Sequence, residues 1–129
     1  MKKPSRYEVG NYKLGFRNIR LFVDNTTSNG SVFFVPDDKG TPVVTVGIDS
    51  PWSEVISVLL HEVYEATLVD LSTRYKQSPS FSSESSDFIF SMTHNQLAEA
   101  HERVGVFLAD ALPDISKAYH KFTLYKELT

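Results

Sequence analysis

Val43-Val44-Thr45-Val46-Gly47-Ile48-Asp49-Ser50-Pro51-Trp52-Ser53-Glu54-Val55 holds the change of period on which the fold turns. Val43–Ile48 is a short β-branched run, the composition of a strand. At Ser50-Pro51 the pattern becomes helical, with Ser50 as the capping residue and Pro51 at the first helical position, where its missing N–H costs nothing. The helix is expected to run to about Leu71. Upstream, Phe16–Val23 alternates Ile19, Leu21 and Val23 with Asn18, Arg20 and Phe22, the period of a strand with one buried face. Asn25–Gly30 follows as a loop. Ser31–Val35 is apolar on both faces through Val32, Phe33, Phe34 and Val35, which predicts a central strand, ended by the turn Pro36–Pro42. The short connections favour an antiparallel meander of three strands, and the two Asp-containing loops fit turns better than calcium sites.

Downstream, residues 72–86 form a serine-rich stretch, long for a loop in a compact domain and able to cover a site. Phe88-Ile89-Phe90 fits either a short strand or the first turn of a helix, because Thr93 and Gln96 make a capping-box pair just after it. A helix to about Ala111 is expected, with Pro113 kinking it or starting a third helix to about Phe122. The fold class is therefore α+β: a three-stranded antiparallel sheet followed by two or three packed helices. One domain spans 1–129, with the sheet in 16–48, a helix in 51–71, the serine-rich loop in 72–86 and the C-terminal helices in 88–122.

Composition supports this reading. At 129 residues, 41% hydrophobic and with nine Phe and six Tyr, the chain can bury one substantial core. It has no cysteine, so any metal must be held by His and carboxylate, and a reducing, cytoplasmic setting is expected. Met1–Glu8 is charged with no apolar run behind it, so neither a secretory leader nor a membrane span is expected. Thirteen basic against sixteen acidic residues, a net charge of -3, argue against general nucleic-acid binding.

The pointed chemistry lies in His61-Glu62-Val63-Tyr64-Glu65. Four residues apart on a helix, His61 and Glu65 fall on one face and can reach one ion. The surrounding helix is apolar in most directions, which predicts a central, largely buried element. Its polar residues Glu54, Ser57, His61, Glu65 and Ser72 lie in one stripe, and Glu62 sits apart, between Val55, Ala66 and Val69. A carboxylate on an apolar face requires a partner or a raised pKa, a common origin of general bases. The alternative is a solvent-facing helix edge with an ordinary His–Glu contact. On the following helix, projection places Asn95, Gln96, Glu99, Glu102, Arg103 and Asp110 on the polar face and turns His94 and His101 inward with Leu97, Val104, Leu108 and Leu112. Ala98, Gly105 and Ala109 leave room there for another helix. Seven residues separate the two histidines by about 10 Å along the axis, so only one can join His61 and Glu65 on an ion. Such a set leaves a position for water, as catalytic Zn²⁺ requires, with Mn²⁺, Fe²⁺ or Ni²⁺ as other candidates. His120, beside Lys121, is read as surface.

Val58–Thr67, with its apolar flanks and a strand just before it, resembles the active-site helix of zincin metallopeptidases in a degenerate HExxE form. The resemblance implies that His61 and Glu65 are metal ligands, that Glu62 activates water, and that a third ligand comes from a later segment. That family has His where this chain has Glu65, so metal binding is implied more strongly than peptidase activity. Leu59–Glu62 and Phe90–Gln96 together also resemble small bacteriophage-encoded proteins. Two functions are thus expected in competition. One is a metal-dependent hydrolase acting on a peptide aligned along the Val43–Ile48 strand edge. The other is a non-catalytic module binding a protein partner, for example a phage product on a host factor, with an apolar patch near Tyr64, Tyr119 or Tyr125.

Overall fold

The computed structural model describes residues 6–28, 30–33, 41–76 and 88–128. Within them the order is β1 (Arg6–Leu14), β2 (Arg17–Asp24), β3 (Gly30–Phe33), β4 (Val43–Gly47), α1 (Trp52–Asp70), β5 (Arg74–Lys76), β6 (Phe88–Phe90) and α2 (His94–Leu128). The α+β class holds, but the sheet has four strands in the order β1-β2-β4-β3. β1 pairs antiparallel with β2, β4 pairs antiparallel with β3, and β2 lies parallel to β4. The expected three-stranded meander is therefore corrected twice, by an added strand and by an exchange of places.

Both corrections have a physical origin. β1 carries Tyr7, Glu8, Asn11 and Lys13, too polar for an obvious strand, yet it buries Tyr12 and Leu14 and forms a tight hairpin with β2 through Gly15 at φ 67°. β4 takes the central place expected of residues 31–35 because it is buried almost throughout, with Val44 and Val46 fully so. β3 is left at the edge. Residues 34 and 35, and positions 36–40 of the turn expected after them, lie outside the described residues.

One sheet face carries Tyr12, Leu14, Ile19, Leu21, Val23, Val44 and Val46 into the core. α1 lies over β3 and β4, and α2 over β1 and β2. The opposite face is covered by cations: Arg6 lies 3.9 Å over the Phe22 ring and donates to Thr45 Oγ1 at 3.2 Å, and Arg20 pairs with Glu8 at 2.9 Å. With two layers only, α1 is not the central helix expected. It buries Val55, Leu59, Val63, Ala66 and Thr67 and leaves its other side to solvent.

α1 starts one residue later than expected. Pro51 is the cap, its carbonyl accepting from the Glu54 and Val55 amides at 3.0 and 3.1 Å. Ser50 does not cap; its carbonyl accepts from Tyr119 Oη at 2.9 Å. At the other end, Ser72 adopts φ 59°, its amide reaching Val69 O and that of Thr73 reaching Leu68 O, each at 3.0 Å. This paired closure stops the helix and reverses the chain into β5.

Residues 72–86 are thus not one loop: Arg74–Lys76 pairs antiparallel with Phe88–Phe90, and 77–87 lie outside the described residues. Of the two readings left open for Phe88–Phe90, the strand is correct. The capping box is present as well: Thr93 N donates to Gln96 Oε1 at 2.8 Å, and Gln96 N to Thr93 Oγ1 at 3.1 Å. Beyond it, α2 is one helix that continues through an exposed Pro113 instead of breaking there.

α2 buries Ala100, Val104, Phe107, Ala111 and Ile115. That stripe is rotated from the one projected from its leucines, because Ala100 and Ala111 let the helix approach the sheet closely while Phe107 fills the space between, edge-on to Tyr12. Each fully buried Val, Leu, Ile or Phe side chain contributes roughly 1.5–3 kcal/mol. No described helix is long and apolar enough to cross a membrane.

Candidate functional site

Because α1 turns Val55, Leu59, Val63 and Ala66 to the sheet, the helical period sends Ser57, His61 and Glu65 outward. The expected pair forms: His61 Nε2 lies 3.3 Å from Glu65 Oε2, one turn apart. The two ends differ in environment, since the His61 side chain is 71% exposed and that of Glu65 25%. The other Glu65 oxygen, Oε1, accepts from Arg74 Nη1 at 3.5 Å. Arg74 reaches it because the Ser72 reversal folds β5 back beside the last turns of α1.

Glu62 stands at the margin of the buried face. Burial pushes its carboxyl above the usual carboxylate range; His61 opposes this and Glu65 adds to it. The cover on one side is β3. A β carbon on Gly30 would collide with Val58 Cγ1 and lie 3.1 Å from Glu62 Cγ and 3.3 Å from Glu62 Oε1, so only glycine lets the strand pass this close. Among the described residues, the Glu62 carboxyl has no hydrogen-bond or ion-pair partner.

These groups line one groove of about 610 Å³. Leu60, Tyr64, Leu68 and Phe90 give it an apolar surface, and Ser57, His61, Glu62 and Glu65 give it a polar margin. Phe90 comes from β6 and is 43% exposed. Its neighbours in the hairpin, Tyr75 and Ile89, and Leu97 on the first turns of α2, are exposed apolar side chains too.

The remaining metal expectations do not assemble. His94 and His101 are exposed instead of inward, because the α2 stripe that meets the sheet runs through Ala100 and Val104. His101 Nδ1 donates to the Leu97 carbonyl at 2.9 Å, and its ring stands edge-on to Tyr64 at 5.6 Å. Among the described residues, no helix fills the space at Gly105, and none lies within 4 Å of a β carbon placed there. Among the described residues, no three His, Asp or Glu side chains come together in a way that could hold an ion. Three protein ligands and an open position are what catalytic zinc takes, and His61 with Glu65 supply two. The described residues therefore do not fit that metal set.

Three further expectations change. β4 has strands on both sides, so the sheet edges belong to β1 and β3 and not to the Val43–Ile48 run. Tyr119 is not part of an exposed patch: it packs on Trp52 at 5.1 Å and holds Ser50. Tyr64 lies in the groove, while the side chain of Tyr125 is outside the described residues. His120 is exposed as expected.

Sequence reasoning missed Leu60, Leu68 and Phe90 as groove residues and Arg74 as the partner of Glu65. The spacing of Leu60, Tyr64 and Leu68 was the available signal, since four-residue steps place them on one face with His61 and Glu65. It also missed Asp70, whose side chain is 8% exposed and pairs with Arg17 at 3.2 Å. Burial raises that carboxyl, and Arg17 and Arg103 oppose the shift.

Comparison of the chain with protein-family models, with curated proteins and with solved structures finds no match.

Proposed function

We propose that the protein is a binding module whose α1 groove takes a segment of a protein or peptide partner. The observation that carries this reading is the groove itself. An apolar lining of Leu60, Tyr64, Leu68 and Phe90, open to solvent and bordered by a few polar groups, is the usual construction of a recognition cleft. Phe90, 43% exposed on β6, closes the groove against Leu60, Tyr64 and Leu68, and exposed aromatic side chains of this kind anchor interfaces.

The test is a titration of ¹⁵N-labelled protein with a capped hexapeptide carrying a Leu-Phe core. Amide shifts concentrated on Leu60, His61, Tyr64, Leu68 and Phe90 are expected. Shifts absent, or gathered on another face, would overturn the reading.

A metal-dependent hydrolase of zincin type is the second reading, favoured by the 3.3 Å His61–Glu65 pair with Glu62 adjacent to it. Zinc added to the same labelled protein separates the two. The binding-module reading expects no saturable shift at His61 or Glu65 at micromolar zinc. Saturation at one equivalent, lost in both His61→Ala and Glu65→Ala, would favour the second reading and justify assay of Glu62→Gln for hydrolysis.

A further inference from the structure

The groove has an uneven charge balance. Glu65 already faces His61 on one oxygen and Arg74 on the other. Glu62, at the β3 side, faces no cation of that kind among the described residues; its nearest charged neighbours are His61 and the like-charged Glu65. Removing a carboxylate from water without a hydrogen-bonding partner is unfavourable, and a ligand that supplies the partner recovers that loss on binding. The apolar part of the lining, Leu60, Tyr64, Leu68 and Phe90, offers a good surface to a bulky apolar group.

From this complementarity we infer that the preferred occupant of the groove is a peptide segment with a bulky apolar side chain next to a lysine or arginine, the apolar group on the Leu60, Leu68 and Phe90 surface and the cation on Glu62. The inference rests on the groove reading above and adds the chemistry of the partner. Arg74 gives the selection a direction. A cation is attracted to the Glu62 side and repelled from the Glu65 side, where the guanidinium already stands. An acidic segment meets an unneutralised carboxylate beneath β3.

The experiment uses the full chain and three fluorescein-labelled, capped hexapeptides with Leu-Phe-Lys, Leu-Phe-Gln and Ser-Ser-Lys cores, followed by anisotropy. Wild-type protein is expected to bind the Leu-Phe-Lys probe about tenfold more tightly than the Leu-Phe-Gln probe, the size of one charge-assisted contact, and to bind Ser-Ser-Lys weakest. In Glu62→Gln the two Leu-Phe probes should become equal. Phe90→Ser, a change at an exposed position that leaves the core intact, should weaken both Leu-Phe probes alike. Equal binding of the Lys and Gln cores by wild type, or a preference that survives in Glu62→Gln, overturns the cation inference; the groove reading still stands if Phe90→Ser weakens both. Absence of binding by any probe, or binding indifferent to Phe90→Ser, overturns the groove reading and the inference with it.

Discussion

The reversal at Ser72 brings Arg74 back to Glu65, and its backbone sets a measurable cost. Ser72 holds φ 59° as the residue that closes α1, with its amide and that of Thr73 satisfying the last carbonyls. A left-handed residue with a β carbon is disfavoured by roughly 1–2 kcal/mol relative to glycine. Glycine in turn loses about 0.5–1 kcal/mol more backbone entropy on folding. The balance predicts that Ser72→Gly stabilises the protein by about 0.5–1 kcal/mol. For a chain of this size that corresponds to a rise in Tm of about 2–4 °C. The Ser72 side chain is exposed, so little packing is lost. Ser72→Ala is the control, because it removes the hydroxyl and keeps the β carbon, and it should give no gain. Urea denaturation followed by circular dichroism on the three proteins measures both differences. A neutral or destabilising Ser72→Gly refutes the strain argument, and an equal gain in Ser72→Ala would assign the effect to loss of the hydroxyl and not to the backbone.

Three other outcomes follow from the same geometry. Thr93→Ala removes one half of the reciprocal pair with Gln96 and should cost about 1 kcal/mol in denaturant unfolding, whereas an unchanged midpoint would mean that water replaces the cap. Gly30→Ala forces a β carbon into Val58 and should destabilise by about 1–3 kcal/mol, with faster hydrogen exchange in β3; retention of wild-type stability would show that the strand is not held against Glu62. Glu62 and Asp70 both have carboxyls raised by burial, so the folded chain binds their protons more tightly than the unfolded chain. Their contribution is fully present below the unfolded carboxylate range and is lost as pH rises through the raised folded values. Glu62→Gln should flatten the Glu62 part of that fall in a pH series of unfolding midpoints; an unaltered slope would place the carboxylate in water.

What the sequence made legible was local. The helix from Trp52 to Asp70, the His61–Glu65 pairing and the Thr93–Gln96 box each depend on residues three or four apart, and the structure contains all three. What it hid depends on competition between segments. β4 and residues 31–35 are both apolar runs, and the pairing with β2, which β4 takes and β3 does not, decides which becomes central. Along α2 two apolar stripes share Val104; one carries the bulk of Leu97, Leu108 and Leu112, the other Ala100, Phe107, Ala111 and Ile115. Counting hydrophobic mass selects the first, but a helix that must lie close on a twisted sheet selects the stripe of alanines around one phenylalanine. That single rotation turned His94 and His101 outward and removed the expected third ligand.

Glu65 is therefore the residue on which the two functional readings compete. As a metal ligand it needs both a free oxygen and a nearby third donor, yet its oxygens face His61 and Arg74. A divalent ion placed between His61 and Glu65 would stand beside the Arg74 guanidinium, and like charges a few ångströms apart repel by roughly 1–4 kcal/mol per pair of unit charges, depending on how much water lies between them. The guanidinium thus opposes the ion while satisfying the carboxylate that would hold it. Glu62 has the opposite condition, a half-buried carboxylate with no hydrogen-bond or ion-pair partner among the described residues. An entering positive charge is consequently better received at Glu62 than at Glu65. That order of preference favours a basic side chain, which needs one carboxylate and an apolar bed for its stem, over a metal ion, which needs three ligands converging on a point.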